Sequence, residues 1–230
     1  ACAASPQKTP SPTTHGTAAY ARLMHLKARP ALDALRRGET DALVGCNLLR
    51  EGLDADCSVL MGANVANEMA SDAFCETTIG YVDKANGDLF KLAFDCPSFK
   101  VGTVQDTVGV ELCGALKNIV AIGAGFCDGL GLGGNTKAAI IRIGLKETIK
   151  FAKMFFNGIQ DDTFLESCGL ADLFTTCTGG RNRKCAEAFA AAGKQKSLDE
   201  IEKELLGGQK LQGTLTAKEV NHILKMKGME

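Results

Sequence analysis

The hydrophobic pattern changes once along the chain, near residue 106, and that change limits the fold more than any other feature. Between residues 57 and 104, short apolar runs alternate with short amphipathic ones. Cys57-Ser58-Val59-Leu60-Met61-Gly62 reads as a short buried strand ending in a turn. Asn64 is placed to cap a helix through Val65, Met69 and Phe74. Thr77 to Val82 reads as a second strand, Asp88 to Phe94 as a short helix and Phe99 to Val104 as a third strand. Strand, helix, strand, helix, strand predicts an α/β arrangement. After Asp106 the strand signals stop. Val110 to Val120 fits a helix, and Lys137 to Phe156 fits one better. Arg142, Lys146, Lys150 and Lys153 form one stripe there, while Ala139, Ile140, Ile143, Phe151 and Met154 fall elsewhere round the cylinder. The fold class predicted is an α/β remnant followed by an all-α region.

Capping signals support the helical half. Thr163 with Glu166, Ser197 with Glu200 and Thr216 with Glu219 have the spacing of capping boxes. The helix after Ser197 should stop at Gly207-Gly208. Residues 31 to 53 predict one or two short helices broken at Gly38 and Gly52.

Composition narrows the function classes. The 26 basic and 27 acidic residues leave a net charge of −1, which excludes a strongly basic nucleic-acid binder and a polyacidic tail. Tryptophan is absent and only two tyrosines occur, a poor supply of stacking surface for bases. No apolar run reaches the roughly 18 residues of a membrane span; the longest uncharged one, Ile119 to Cys127, contains Gly123 and Gly125. Neither nucleic acid nor membrane is therefore an expected partner. The ten cysteines include no Cys-x-x-Cys pair, so they read as reduced, mostly buried thiols rather than as zinc ligands or a disulfide framework. The first 17 residues hold three of the five prolines and are rich in Ala, Ser and Thr, a composition that stays disordered. No acid precedes Asp33, and Arg22, Lys27 and Arg29 interleave with Leu23, Met24 and Leu26. Residues 1–30 thus read either as a linker or as an organellar targeting segment.

Gly129-Leu130-Gly131-Leu132-Gly133-Gly134 satisfies G-x-G-x-x-G and could place a pyrophosphate at a helix N-terminus. The run before it carries two glycines, unsuited to a central strand. Nothing strand-like follows to close a βαβ unit. A Gly-rich connection between two helices is the preferred reading.

Three places put polar groups where the pattern expects apolar ones. Lys117 lies among Leu112, Leu116, Ile119 and Val120. Pressed against them it would lose solvation and become useful in proton transfer; alternatively it snorkels to the surface. Asp172 and Thr176 share a helix face and could orient a cation, or simply cap a helix end. Gly179-Gly180-Arg181-Asn182-Arg183-Lys184 precedes a helix from Cys185 to Ala192. It is either an anion site or a solvated basic turn. Lys210 and Gln212 sit in a further polar loop.

Several runs are recognisable. Leu60 to Asn64, Phe74 to Gly80, Glu111 to Asp128, Asn135 to Ala139, Glu166 to Gly169, Gly179 to Lys184 and Gly208 to Gly213 closely resemble NAD-dependent glycerol-3-phosphate dehydrogenase of the eukaryotic soluble type. The likeness spans roughly residues 57 to 228. It implies a Rossmann-type NAD-binding domain, incomplete here over 31–106, and a helical substrate-binding and dimerisation domain over 107–230, of the 6-phosphogluconate dehydrogenase-like type. It implies a cytoplasmic homodimer that interconverts dihydroxyacetone phosphate and glycerol 3-phosphate with NAD as cofactor. By resemblance, Lys117 is the catalytic acid/base, and Asp172 and Thr176 position it. Asn118, Arg181 and Asn182 hold the substrate with Lys117. Ala66, Arg181, Lys210 and Gln212 contact the cofactor. The family's Gly-rich turn after its first strand, and a second lysine in a Leu-x-Lys-Gly turn, have no counterpart, and residues 18 to 56 do not resemble the family. The chain therefore reads as an incomplete dehydrogenase. Its alternative is a non-catalytic truncated paralogue acting as a helical dimerisation module.

Overall fold

A computed structural model describes residues 56–193, 195–208 and 211–229. The expected segments at 1–30 and 31–53 lie outside the described residues, apart from which the chain follows the division read above. Strands β1 (Val59–Gly62), β2 (Cys75–Gly80) and β3 (Phe99–Val104) form one sheet in the order β1-β2-β3. Helices α1 (Ala66–Ala70) and α2 (Lys84–Phe94) connect them. Pair β2–β3 is parallel, with Cys75 opposite Phe99 and Gly80 opposite Val104, and α2 is its crossover. Pair β1–β2 is antiparallel.

The helical half comprises α3 (Thr107–Gly129), α4 (Gly134–Phe155), a 3₁₀ turn (Asp162–Leu165), a π-helical turn (Ser167–Ala171), α5 (Asp172–Gly179), α6 (Arg181–Ala192), α7 (Leu198–Leu206) and α8 (Gln212–Met226). Helix α3 is its axis, packing on α4, α5, α6, α8 and on β1 and β2. By length and hydropathy α3 could cross a bilayer. Here its apolar residues are taken up by the protein: Val110, Leu112, Cys113 and Leu116 join Ala152, Phe164 and Cys168 in the main core. Ala121 and Ala124 meet Leu173 and Cys177 in a second cluster.

Four local expectations change. Asn64 does not cap α1; its Nδ2 donates to the Glu76 carbonyl across the sheet, and Val65 is the N-cap. Thr163 is no cap either, because its hydroxyl donates to Asp106 at 2.8 Å. Thr216 lies inside α8, where its hydroxyl donates to the Gln212 carbonyl one turn back. Helix α6 begins at Arg181, a turn before Cys185, with Gly180 as its N-cap. The Asn182 side chain bonds outward to other helices instead of to its own backbone, so it does not break the helix. The Ser197–Glu200 capping box forms in full, and Gly207 ends α7 in the left-handed region at φ 61°.

Candidate functional site

Asp106 starts α3 and fixes where its side chains point. Its Oδ1 accepts from the Gly109 N–H at 2.7 Å, and its Oδ2 accepts from the Gln160 N–H and the Thr163 hydroxyl. With Leu112, Cys113 and Leu116 turned into the core, Lys117 and Asn118 come to the flank facing α5 and α6. Lys117 Nζ forms an ion pair and hydrogen bond with Asp172 Oδ2. The lysine side chain is 21% exposed and the aspartate 7%, so Lys117 is neither a snorkelling surface group nor an amine left against apolar walls. Its charge is balanced by a buried carboxylate. Asp172 heads α5 without capping it, and Thr176, one turn on, donates to its Oδ1 at 3.4 Å. Burial pushes the Asp172 carboxyl above the ordinary carboxylate range, and the Lys117 ammonium and Thr176 hydroxyl pull it back.

Beside this pair, Asn118 and Asn182 join three helices. Asn182 is buried. Its Nδ2 donates to Asn118 Oδ1 at 3.0 Å, and its Oδ1 accepts from the Gly213 N–H of α8 at 3.0 Å. Asn118 Nδ2 is directed back at the carbonyls of Gly114 and Ala115. A Cβ on Gly213 would lie 2.5 Å from the Asn118 carbonyl oxygen, so only glycine lets α8 approach. Lys117, Asn118, Asp172, Thr176 and Asn182 therefore meet in one place, from four helices when Gly213 is counted. Arg181 heads α6 and is exposed; Gln212 heads α8, next to Gly213, and is exposed. Ala66 heads α1, exposed, and no hydrogen bond among the described residues ties it to this cluster. Lys210 lies outside the described residues.

Sequence reading missed the knot that aims α6 at the site. Asp128 Oδ2 accepts from Lys137 Nζ at 2.7 Å and from Arg183 at 2.6 Å, and Arg183 also pairs with Glu187. Asp128 ends α3, Lys137 opens α4 and Arg183 opens α6. The two arms of this knot span 9 and 55 residues, so no local pattern reveals it. Its companion is legible afterwards: Gly125 and Gly129, four apart on α3, face α6. A Cβ there would stand 2.2 Å from the Arg183 carbonyl oxygen and 2.3 Å from that of Glu187. Gly125, unsuited to a strand, and Gly129 are the small residues that seat α6 on α3. The G-x-G-x-x-G run is accordingly a helix–turn–helix, with Gly131 and Gly133 at positive φ between α3 and α4. It is not the strand–turn–helix that a dinucleotide requires.

Residues 106–230 match the family model described as the C-terminus of NAD-dependent glycerol-3-phosphate dehydrogenase. The chain belongs to that family. It is 56% identical over 210 residues to the cytoplasmic glycerol-3-phosphate dehydrogenase [NAD(+)] of Bos taurus, covering 89% of this chain and 60% of the relative. A glycerol-3-phosphate dehydrogenase 1-like protein of Danio rerio is 60% identical over 185 residues, with 80% and 52% covered. The solved glycerol-3-phosphate dehydrogenase of Plasmodium falciparum superposes with a TM-score of 0.78 at 46% identity, over 81% of this chain and 52% of that one. The chain thus spans about 60% of the length of the bovine dehydrogenase. A match over 89% of the chain extends well upstream of residue 57, which corrects the expectation that residues 18 to 56 are unlike the family. The described residues fit part of a dinucleotide site only. Among them no Gly-rich turn links a strand to a helix to cradle a pyrophosphate.

Proposed function

We propose that this chain supplies the substrate-binding and proton-handling part of an NAD-dependent glycerol-3-phosphate dehydrogenase that interconverts dihydroxyacetone phosphate and glycerol 3-phosphate. The observation that carries the proposal is the Lys117–Asp172 ion pair set directly beside the Asn118–Asn182 bridge. A bound nicotinamide supplies or takes the hydride. Lys117 Nζ holds the proton that the carbonyl oxygen gains on reduction and accepts it back on oxidation. As an ammonium it also stabilises the developing alkoxide. Asp172 keeps the amine oriented, and Thr176 orients Asp172. The first turn of α6 directs backbone N–H groups at the substrate phosphate, and Arg181 adds a planar guanidinium to it. Asn118 and Asn182 fix the floor between the two. Ala66, Arg181, Lys210 and Gln212 are the parts of this chain that would meet the cofactor.

In the same reading, residues 31–106 belong to the NAD-binding domain, and residues 107–230 form the substrate-binding domain and the surface of a homodimer. The cytoplasmic relatives support a cytoplasmic location. The test is NADH consumption on adding dihydroxyacetone phosphate to the complete dehydrogenase that contains this chain and to its Lys117→Ala variant. Turnover should fall by a factor on the order of 10² or more, with NADH affinity little changed. Equal turnover in the two proteins would overturn the assignment.

A further inference from the structure

Helix α8 starts without a cap of its own. Leu211, its N-cap, carries no hydrogen-bonding side chain, so the first N–H groups of the helix need acceptors from elsewhere. Two buried side chains supply them. The Leu211 N–H donates to Glu202 Oε1 at 3.0 Å, and the Gly213 N–H donates to Asn182 Oδ1 at 3.0 Å. Glu202 belongs to α7 and Asn182 to α6, so two other helices hold the start of α8 at points two residues apart. Glu202 is only 3% exposed. An ionised carboxylate is costly to bury, and the positive end of α8 offsets part of that cost. The packing round it joins the same elements: Cys185 of α6, Ile201 of α7 and Leu211 form one buried cluster. Burial and the Glu202 charge push the Cys185 thiol above its ordinary range, and Arg181 pulls it back. The carboxylate is thus felt in the opening turns of α6. No step of the reaction described above uses it.

We propose that Glu202 is a positioning residue for the substrate phosphate, acting through the start of α8 on Asn182. By holding the Leu211 N–H it fixes where α8 begins. The Gly213 N–H, two residues on, then holds the Asn182 amide. Asn182 follows Arg181 in the first turn of α6, where the phosphate binds in the reading given above, and the inference rests on that reading. Glu202 acts through Asn182 rather than on the reacting atoms. Without its carboxylate the start of α8 is released on one side, Asn182 loses a fixed partner, and the grip on the phosphate weakens in the ground state and the transition state alike. Substrate binding then changes while proton transfer at Lys117 does not.

The test uses the complete dehydrogenase that contains this chain, at saturating NADH. Glu202→Met, close in volume but without an acceptor, should raise KM for dihydroxyacetone phosphate about tenfold and leave kcat nearly unchanged. Inorganic phosphate, competing with substrate, should inhibit more weakly by the same factor. Glu202→Asp, charged but one methylene short of the Leu211 N–H, should behave like the Met variant, and serves in its place where that variant does not fold. Glu202→Gln keeps an oxygen for the Leu211 N–H and should restore both constants. A fall in apparent kcat that follows the folded fraction, with KM and phosphate inhibition unchanged, would show that Glu202 only stabilises the helices and would overturn the proposal. Equal rises in KM for the Met and Gln variants would overturn it too, by tracing the effect to charge instead of to the held N–H. Failure of the underlying reading looks different: phosphate would not compete with substrate in the wild type, or Lys117→Ala would turn over normally.

Discussion

Asn182 makes two buried hydrogen bonds with one amide, and each serves a different helix. Cutting it back to alanine leaves the Gly213 N–H and the Asn118 Oδ1 without these partners in a buried place. Asn182→Ala should therefore cost about 2 kcal/mol of unfolding free energy, read as a lower midpoint in urea with an unchanged slope. An unchanged midpoint would show that the three helices do not depend on the bridge. Part of this was legible beforehand. Lys117, Asp172 and Thr176 were singled out because polar groups interrupted an apolar pattern or shared a helix face, and they meet. The role of Asn182 as a clasp was not legible. Its partners lie 64 and 31 residues away, and an Asn followed by basic residues looks like any solvated turn until the helices are in place.

At the scale of elements, the seam between α3 and α6 is the most demanding contact. Glycine to alanine in a helix interior ordinarily gains about 1 kcal/mol. At Gly125 the added methyl would meet the Arg183 carbonyl oxygen at 2.2 Å, backbone that cannot rotate aside. Overpacking of this kind costs about 1–3 kcal/mol, so Gly125→Ala should be destabilising despite its helix propensity, and its urea midpoint should fall. A rise would show that α6 yields easily. Helix positions were read well where periodicity or caps existed. Strand β3 falls on the predicted Phe99 to Val104, and α7 runs from its capping box to its terminal glycine. The reading failed where a cap-like residue had a better partner across space, as Thr163 has in Asp106. It also stopped α3 nine residues early, at Val120 rather than Gly129. Gly123 and Gly125 look like breakers until α4 lies against the first and α6 against the second.

For the whole molecule, the Asp128 knot joins the ends of three helices and sets an acid limit. Burial pushes the Asp128 carboxyl up, yet the hydrogen bonds and charges of Lys137 and Arg183 outweigh it and hold the group below its ordinary value. A folded value below the unfolded one gives stability that is complete above the unfolded value, about 3.9, and is lost as pH falls through the folded value. Asp172 acts in the opposite sense, losing stability as pH rises through its raised value. Asp128→Asn should thus flatten the acid limb of stability against pH, measured by urea midpoints below and above pH 4, and leave the Asp172 contribution in place. An acid limb as steep as in the wild type would place the pH sensitivity elsewhere. The order of sheet then helices was legible from the change of period. The antiparallel setting of β1 was not, because a four-residue run fixes burial but not direction.

Helix α3 has a carboxylate knot at each extremity, Asp106 tethered to Gln160 and Thr163, and Asp128 to Lys137 and Arg183. Its 23 residues put roughly 35 Å between these guy-ropes, with Lys117 near mid-span. A rod stayed at both tips neither slides nor rolls. Whatever distance the amine must travel during turnover comes from torsions of its own four-carbon stem, and the reach of that stem bounds how far a reacting oxygen can sit from the axis.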